Sequence, residues 1–364
     1  MTEPQGQADG TRRAQRYEVV VIGGGAAGLS GALTLARARR SVLVIDAGHP
    51  RNAPADHIHN YLGREGTAPA RLLDLGREEA TAYGAEILQG EVATAERLPA
   101  PDAPASPAPD SLPMDSSAPD YSDPDSPAPA GGFRVVLTDG TAVEADRLLV
   151  TTGLLDELPP VPGLAERWGR DVLHCPYCHG WEVRDQPVGV LATGPLAVHQ
   201  ALMWRQWTDD VTLFTHTRPE LADEEYERLA ARGVAVVEGE VAALEVTDDR
   251  LTGVTLAGGR VIPRGALVTG PRFTARAGFL KGLGLDVADQ EMAGEVIGAT
   301  VPSDASGATS IPGVWVAGNV TGMAETVIGA AAAAVRAASM INADLIAEET
   351  ARAVAERRAL VSAA

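Results

Sequence analysis

A glycine-rich turn near the start of the chain limits the fold more than any other feature of the sequence. Residues 23–28 match the fingerprint G-x-G-x-x-G, after a short apolar segment and before a helix-like segment and a second apolar segment that ends at Asp46. This order predicts a Rossmann βαβ unit that binds a dinucleotide. Gly23 would make the turn, Gly25 would let a pyrophosphate approach the backbone, and Gly28 would let helix and strand pack. Asp46 would accept a hydrogen bond from a ribose hydroxyl.

The two cysteines of the chain form one Cys-x-x-Cys pair, Cys175 and Cys178. Such a pair closes a small ring when it is oxidised, and a neighbouring histidine or helix N-terminus favours its reactive thiolate. His174 and His179 flank the pair. The alternative is half of a zinc site, but a closed zinc site needs four ligands and the sequence has no second cysteine pair. We therefore predict a redox-active dithiol and no metal.

A second strand–turn–helix pattern begins at residue 188 and is followed by an apolar segment at residues 211–214. Its fingerprint is incomplete, because Ala192 stands where the first glycine is expected and only Gly194 and the small Ala197 remain. A site for the 2′-phosphate of NADPH needs clustered arginines, and Arg218 is the only arginine in the turn after the second strand. The sequence predicts a Rossmann-like unit with impaired nicotinamide binding.

Length and charge narrow the class of protein further. A chain of 364 residues should form two domains. Its 30 basic and 49 acidic residues give a net charge of −19, which argues against nucleic acid and against anionic membranes as partners. Residues 1–16 are polar and lack an apolar stretch, so we expect no secretory signal, and we expect no later segment to be long and apolar enough to span a bilayer. We therefore expect a cytoplasmic location, where a Cys-x-x-Cys pair is more often catalytic than structural.

Some segments depart from a regular pattern. Residues 99–132 are rich in proline, alanine, serine and aspartate, and we expect a disordered, acidic surface insertion. The polar loop after Asp46 carries three histidines that are expected to be solvated unless a ligand orders the loop. An alanine-rich helix from Gly329 is either a plain buried helix or one whose N-terminus directs N–H groups at an electron-rich ring. We also predict a helix at 68–83, a strand at 85–93, a hairpin at 133–144, strands at 148–153 and 311–320, and a terminal helix or tail at 348–364.

Four motifs in this order and spacing resemble the low-molecular-weight thioredoxin reductases: residues 23–28, 151–153, 175–180 and 318–320. The resemblance runs over nearly all of residues 17–347. It implies an α/β fold with two Rossmann-like, three-layer nucleotide-binding domains, the second inserted into the first. The FAD domain would comprise residues 17–164 and 271–347, and the inserted Cys-x-x-Cys domain residues 165–270.

The resemblance also implies a cofactor and roles for the cysteines. Cys178 would face the flavin and Cys175 would be the outward nucleophile, and the protein would form a homodimer. FAD would be bound by Gly23, Gly25, Ala26, Ala27, Gly28, Asp46, Asn60, Val92, Thr152, Gly153, Gly318, Asn319 and Val327.

The sequence departs from the reductase pattern at four places. The reductases usually have an acid where this chain has His179, a full fingerprint in the inserted domain, an arginine pair where this chain has residues 215–217, and aspartate in place of Asn319. A Cys-x-x-Cys-His-Gly motif with an eroded nicotinamide site is similar to the flavin-dependent dithiol oxidases of gliotoxin, holomycin and romidepsin type. That resemblance implies a small-molecule dithiol as substrate and O2 as electron acceptor. His179 would then be the base for the incoming thiol, since histidine titrates near neutral pH.

Two alternatives stay open on the sequence alone. One is an NAD(P)H-dependent, thioredoxin-reductase-like disulfide reductase with thioredoxin as a partner. The other is a flavin-bound redox sensor without turnover, which would not need a Cys-x-x-Cys pair beside the FAD motifs.

Overall fold

The computed structural model of the protein describes residues 14–99, 131–218 and 220–363. The predicted disordered N-terminus and the predicted insertion at 99–132 lie largely outside these residues. The strands are, in chain order, β1 (Gln15–Ile22), β2 (Val42–Asp46), β3 (Glu86–Gln89), β4 (Val92–Arg97), β5 (Phe133–Leu137), β6 (Ala142–Val150), β7 (Leu154–Glu157), β8 (Val172–Leu173), β9 (Val188–Leu191), β10 (Val211–Phe214), β11 (Ala235–Val237), β12 (Val241–Thr247), β13 (Arg250–Leu256), β14 (Val261–Pro263), β15 (Ala266–Thr269), β16 (Arg272–Ala275), β17 (Ala288–Met292), β18 (Glu295–Thr300) and β19 (Val314–Val316). The α-helices are α1 (Ala26–Arg37), α2 (Pro69–Ala82), α3 (Pro176–His179), α4 (Ala197–Trp204), α5 (Asp223–Ala231) and α6 (Val327–Ser362).

The first sheet has the order β3-β2-β1-β6-β5-β4, with β19 paired to β6. Its central strands β2, β1 and β6 are parallel and buried, as expected for apolar segments covered by helices on both faces. On one face, small residues of α1 and α6 let the two helices pack closely over the sheet. On the other face, the segment from β16 to β18 covers a second core around Phe133 and Leu148.

The second sheet is parallel and has the order β11-β10-β9-β15-β8. Helices α4 and α5 cover one face of it, and the small antiparallel sheet β12-β13-β14 covers the other. The chain enters and leaves this unit through β7 and β16, which pair with each other antiparallel. The fold class is therefore confirmed: two Rossmann-like, three-layer units, the second inserted into the first.

Several element boundaries differ from the sequence predictions: the strand predicted at 148–153 is the end of β6, and the one predicted at 311–320 is shortened to β19. Strand β1 starts at Gln15 rather than at residue 17, because Gln15 and Arg16 pair with β6 and Arg16 forms ion pairs with its acidic residues. The predicted strand at 85–93 is two strands, β3 and β4, which belong to opposite edges of the sheet. The alanine-rich helix and the terminal segment 348–364 are one continuous helix, α6.

Buried Arg147 explains why α6 continues beyond residue 347. Its guanidinium, which is 1% exposed, binds Asp344 at 2.5 Å and Glu348 at 2.6 Å on successive turns of the helix. Arg40 binds Glu349, the next residue of the helix. These ion pairs fix a part of the helix that the apolar pattern alone leaves exposed.

By length and composition alone, α6 could cross a membrane, so the expectation that no segment could do so was wrong for this helix. Its apolar residues have another explanation. Ala334, Ala338 and Ile341 are fully buried and pack in the core beside α1. A core helix of this kind passes the same test as a membrane span.

Candidate active site

A cavity of about 1460 Å³ lies where the carboxyl ends of β1, β2 and β6 meet the Cys-x-x-Cys segment and α4 of the inserted unit. It exceeds the usual range of roughly 300–1,000 Å³ for small-molecule sites. Most of the sequence-predicted site residues line it: Gly23, Gly25, Ala26, Ala27, Asp46, Asn60, Val92, Thr152, Gly153, Cys175, Cys178, His179, Asn319 and Val327. The structure therefore brings the predicted cofactor residues and the dithiol to one place.

The glycine turn forms an open cradle at the start of α1. Gly23 has a positive φ of 114°, and a Cβ there would lie 2.6 Å from the Thr151 carbonyl oxygen, so only glycine fits. A Cβ at Gly25 would meet nothing within 4 Å. Because the first N–H groups of a helix lack partners within the helix, this open space suits a pyrophosphate. The residues present thus fit FAD.

Gly28 and Gly318 were predicted to bind the cofactor, but neither lines the cavity. A Cβ at Gly28 would lie 1.8 Å from the Gly23 carbonyl oxygen, which is the packing role expected of the third glycine. Gly318 has a φ of 77°, and its Cβ would lie 3.1 Å from that of Ala27. Both residues support the cradle through packing.

Asp46 lies at the end of β2 with 8% of its surface exposed. One carboxylate oxygen accepts a hydrogen bond from the Gly48 N–H at 3.0 Å, and the other pairs with Arg77 at 3.0 Å. The sequence did not indicate Arg77, which comes from α2. The carboxylate is thus held at the mouth of the cradle, in the position predicted for a ribose contact.

Asn319 organises the start of α6. Its amide nitrogen donates to the carbonyl oxygens of Gly322 at 3.0 Å and Glu325 at 3.1 Å. An aspartate, as in the reductases, has no N–H to donate to these carbonyls. Thr326 caps the helix, and Val327, its first residue, lines the cavity. The N-terminus of α6 therefore faces the cavity, as one of the two sequence interpretations required.

The two thiols are inequivalent. Cys175 precedes the one-turn helix α3, and both cysteines are half-buried with free thiols. The hydrogen bond from Cys178 lowers the pKa of Cys175 to about 7, although burial acts in the opposite direction. Hydrogen bonds from the backbone N–H groups of Cys178 and Tyr177 lower this pKa further. The same hydrogen bond, together with burial, raises the pKa of Cys178. In the reduced pair, Cys175 is thus the preferred thiolate.

The two histidines beside the pair differ in their partners. Both ring nitrogens of His179 are buried and have no hydrogen-bond partner among the described residues. Burial lowers the pKa of His179, so its ring is neutral at pH 7 and can accept a proton. His174 instead contacts the Thr269 carbonyl oxygen at 3.1 Å and the Gln200 amide at 3.3 Å through Nδ1, so it already has hydrogen-bond partners.

The polar loop between Asp46 and α2 contributes Arg51, which no sequence pattern indicated, and Asn60, which the family resemblance did indicate. Arg51 lines the cavity and binds Asp156 through both carboxylate oxygens. Asn60 donates its amide N–H to the Tyr177 carbonyl oxygen at 2.6 Å, so this predicted cofactor residue contacts the dithiol segment.

Several residues of the second unit's nucleotide-binding turn already have contacts within the protein. Ala192 is fully buried at the turn, and the Thr193 hydroxyl donates to the Gly270 carbonyl oxygen at 3.1 Å. Arg218, the one arginine expected to meet a 2′-phosphate, pairs with Glu225 at 3.0 Å and is 17% exposed.

Within the described residues, no three histidine, cysteine, aspartate or glutamate side chains come together as metal ligands.

Two Rossmann-like units around a cavity that joins a dinucleotide cradle to a dithiol define a flavin-dependent disulfide oxidoreductase architecture. The chain belongs to the pyridine nucleotide-disulphide oxidoreductase family, whose model matches residues 114–338. A model of the FAD binding domain matches residues 18–59, which contain the cradle. The predicted family, its oxidoreductase class and its FAD cofactor are confirmed.

Individual relatives agree with this assignment. The crystal structure of HlmI is 44% identical, with a TM-score of 0.80 over 96% of this chain and 98% of that chain. A probable thioredoxin reductase of Arthroderma benhamiae is 33% identical over 50% of this chain, and thioredoxin reductase tcpT of Claviceps purpurea is 32% identical over 57% of it. The matched regions span only 38% and 58% of those two relatives.

Proposed function

We propose that this protein is an FAD-dependent dithiol oxidase that closes a small-molecule dithiol to an intramolecular disulfide, with O2 as the electron acceptor. The substrate would come from natural-product biosynthesis, and the enzyme would work in the cytoplasm as a homodimer. The overall reaction moves two electrons and two protons from the dithiol to O2 and yields the disulfide and hydrogen peroxide.

The observation that carries this proposal is that the second nucleotide-binding unit lacks two features that a nicotinamide dinucleotide needs. A 2′-phosphate needs a free cation, and Arg218 is already paired with Glu225. The buried methyl group of Ala192 occupies the position of the first fingerprint glycine. Electrons from a nicotinamide therefore have a poor entry site, whereas the dithiol lies in the same cavity as the FAD cradle.

The residues around the pair support exchange with a substrate thiol. Neutral His179 would take the proton of the incoming thiol, and the resulting thiolate would attack the sulfur of Cys175 in the enzyme disulfide. The bond between Cys175 and Cys178 breaks as the mixed disulfide forms. The second substrate thiol then attacks the substrate sulfur of the mixed disulfide and releases Cys175, which is stabilised as a thiolate. The substrate leaves as a disulfide and the enzyme keeps two electrons as a dithiol.

FAD, when bound, would supply the redox chemistry that links the enzyme dithiol to O2. The chain would hold FAD through Gly25 and the start of α1, through Asp46, and through the N-terminus of α6 at Val327. These residues bind and orient the cofactor.

A second candidate is an NAD(P)H-dependent disulfide reductase, which the names of the relatives favour. The two functions differ in where electrons enter. Each lost charge-assisted contact to a nicotinamide dinucleotide should cost about 1–3 kcal/mol of binding. Two such losses weaken binding by roughly 30- to 10⁴-fold, at about 1.4 kcal/mol per tenfold.

The test is anaerobic stopped-flow reduction of the purified holoenzyme by dithiothreitol, NADPH or NADH at equal concentrations. We expect dithiothreitol to bleach the flavin far faster than either nucleotide, and admitted air to restore the colour with release of peroxide. Cys175→Ser is the matched control, since it should abolish bleaching by dithiothreitol. Rapid bleaching by NADPH, with thioredoxin or another disulfide needed to restore the colour, would overturn the oxidase in favour of the reductase.

A further inference from the structure

Arg51 is a fixed cation in the wall of the cavity. Its Nε and Nη2 atoms donate to the two carboxylate oxygens of Asp156 at 2.8 and 2.6 Å. The guanidinium carbon also lies 5.3 Å from the centroid of the Phe273 ring, within the range of a cation–π contact. Two planar contacts leave the guanidinium little freedom, and its Nη1 atom has no hydrogen-bond partner in the described part of the chain.

These contacts connect Arg51 to the dithiol segment. The ring of Phe273 meets the ring of His174 edge-on, with centroids 5.2 Å apart. His174 directly precedes Cys175, and Arg51 and both cysteines line the same cavity. Arg51 and Asp156 belong to the first unit and His174 to the inserted unit, so this stack of side chains crosses from one unit to the other.

The two histidines beside the pair carry little positive charge at pH 7, because burial lowers the pKa of both His174 and His179. A guanidinium cannot lose its proton in this range, and the charge of Arg51 lowers the pKa of both thiols.

We propose that Arg51, which Asp156 and Phe273 hold in the wall of the cavity that contains the dithiol, is a positioning residue for thiol–disulfide exchange at Cys175. In exchange, one S–S bond forms as another breaks, and the negative charge passes from the attacking to the leaving sulfur. A permanent cation in the wall of the cavity that contains the pair stabilises that charge in both directions of electron flow. The inference therefore holds for an oxidase and for a reductase alike.

Asp156 carries the charge opposite to that of Arg51, so substituting each residue in turn tests the role of charge. Its carboxylate orients Arg51 and also offsets part of its charge. Removing the cation and removing the anion should therefore have opposite effects on Cys175. A purely structural pair would give effects of the same sign, because either substitution would break the same contact.

The experiment measures the rate of alkylation of Cys175 by iodoacetamide as a function of pH. The reduced holoenzyme is pulsed anaerobically, and the modified cysteine is identified by peptide mass spectrometry. The wild type should show a midpoint near the pKa of about 7. Arg51→Gln should raise the midpoint by about 0.5–1 unit and slow alkylation at pH 6 about three- to tenfold, because the charge of Arg51 is the smallest of the effects that lower this pKa. Asp156→Asn should lower the midpoint.

Two further variants complete the design. Arg51→Lys keeps the charge and should restore most of the wild-type profile. Arg272→Gln removes an exposed arginine that pairs with Asp289 of the same sheet, and it should leave the profile unchanged. Flavin absorbance checks that each variant is folded, and if Arg51→Gln does not fold, the comparison of Arg51→Lys with Asp156→Asn decides.

Opposite shifts in Arg51→Gln and Asp156→Asn would support the proposal. Shifts of the same sign, or no shift, would overturn it. So would a change confined to the KM of a carboxylate-bearing dithiol, because that result assigns Arg51 to substrate binding. None of these outcomes depends on whether O2 or a nicotinamide is the second substrate, so failure here is separate from failure of the proposed oxidase.

Discussion

Gly25 and Gly28 belong to one fingerprint, yet substitutions at the two positions should have different effects. Gly25 has φ −77° and ψ −174°, a conformation that any residue adopts, and a Cβ there meets nothing within 4 Å. Gly25→Val should therefore leave the folding stability of the apoprotein within about 0.5 kcal/mol of the wild type. At Gly28, a Cβ would lie 1.8 Å from a backbone oxygen, so Gly28→Ala must shift the backbone and should cost at least about 1–3 kcal/mol.

The loss of FAD affinity can be estimated from the same geometry. The valine side chain would fill the space where the pyrophosphate approaches the N–H groups of α1. A charge-assisted hydrogen bond contributes about 1.5–3 kcal/mol, so losing two of them costs about 3–6 kcal/mol. FAD should then bind about 10²–10⁴-fold more weakly in Gly25→Val.

Three measurements check this pair of variants: the flavin-to-protein ratio after purification, the Kd of FAD for the apoprotein by fluorescence quenching, and the apoprotein Tm. Gly25→Val should lose flavin with its Tm unchanged, whereas Gly28→Ala should lose flavin and also have a lower Tm. Gly25→Ala should fall between wild type and Gly25→Val in FAD affinity. A Gly25→Val protein with full flavin content and wild-type Kd would refute the cradle.

Two more predictions concern the dithiol segment. Cys175→Ser should leave Cys178 as a thiolate beside the oxidised flavin, with a long-wavelength charge-transfer absorbance that Cys178→Ser lacks. Both variants should lose turnover of the dithiol. The reverse absorbance pattern would make Cys175 the cysteine that faces the flavin and Cys178 the outward nucleophile. Because burial lowers the pKa of His174 and His179 in the folded protein, the unfolded chain binds more protons below its usual histidine pKa of 6.5. The free energy of unfolding should therefore fall between pH 7.5 and 5.5 in urea titrations, and less steeply in His179→Gln; a rise on acidification would contradict this reasoning.

Features carried by local patterns could be predicted from the sequence. The glycine turn, the buried strands beside it and the Cys-x-x-Cys pair each depend on residues close together in the chain. Their meeting in one cavity followed from a general rule, that ligands bind at the carboxyl ends of parallel strands. Where the local pattern was ambiguous, the prediction failed: Gly90 divides an apparent single strand into β3 and β4.

Long-range polar contacts could not be predicted. The ion pair between Arg51 and Asp156 joins residues 105 positions apart, and Phe273 comes from yet another segment. The continuation of α6 depends on Arg147, which lies 201 positions before Glu348. A polar side chain carries no periodic signal, so only the folded chain reveals which of many arginines and carboxylates are partners.

The polar loop after Asp46 also bears on the direction of electron flow. Besides lining the cavity, it holds the dithiol segment: Asn60 donates to the Tyr177 carbonyl oxygen, and His59 contacts Glu182 at 3.4 Å. Pro54 packs against Gly169, where a Cβ would lie 2.8 Å away. In the proposed oxidase, electrons pass from the substrate through the enzyme dithiol to FAD, and no nicotinamide has to enter the cavity. These contacts can therefore persist through every turnover. A reductase must bring a nicotinamide to the same cavity, and the dithiol segment occupies one wall of it, so such an enzyme would have to break these contacts in each cycle.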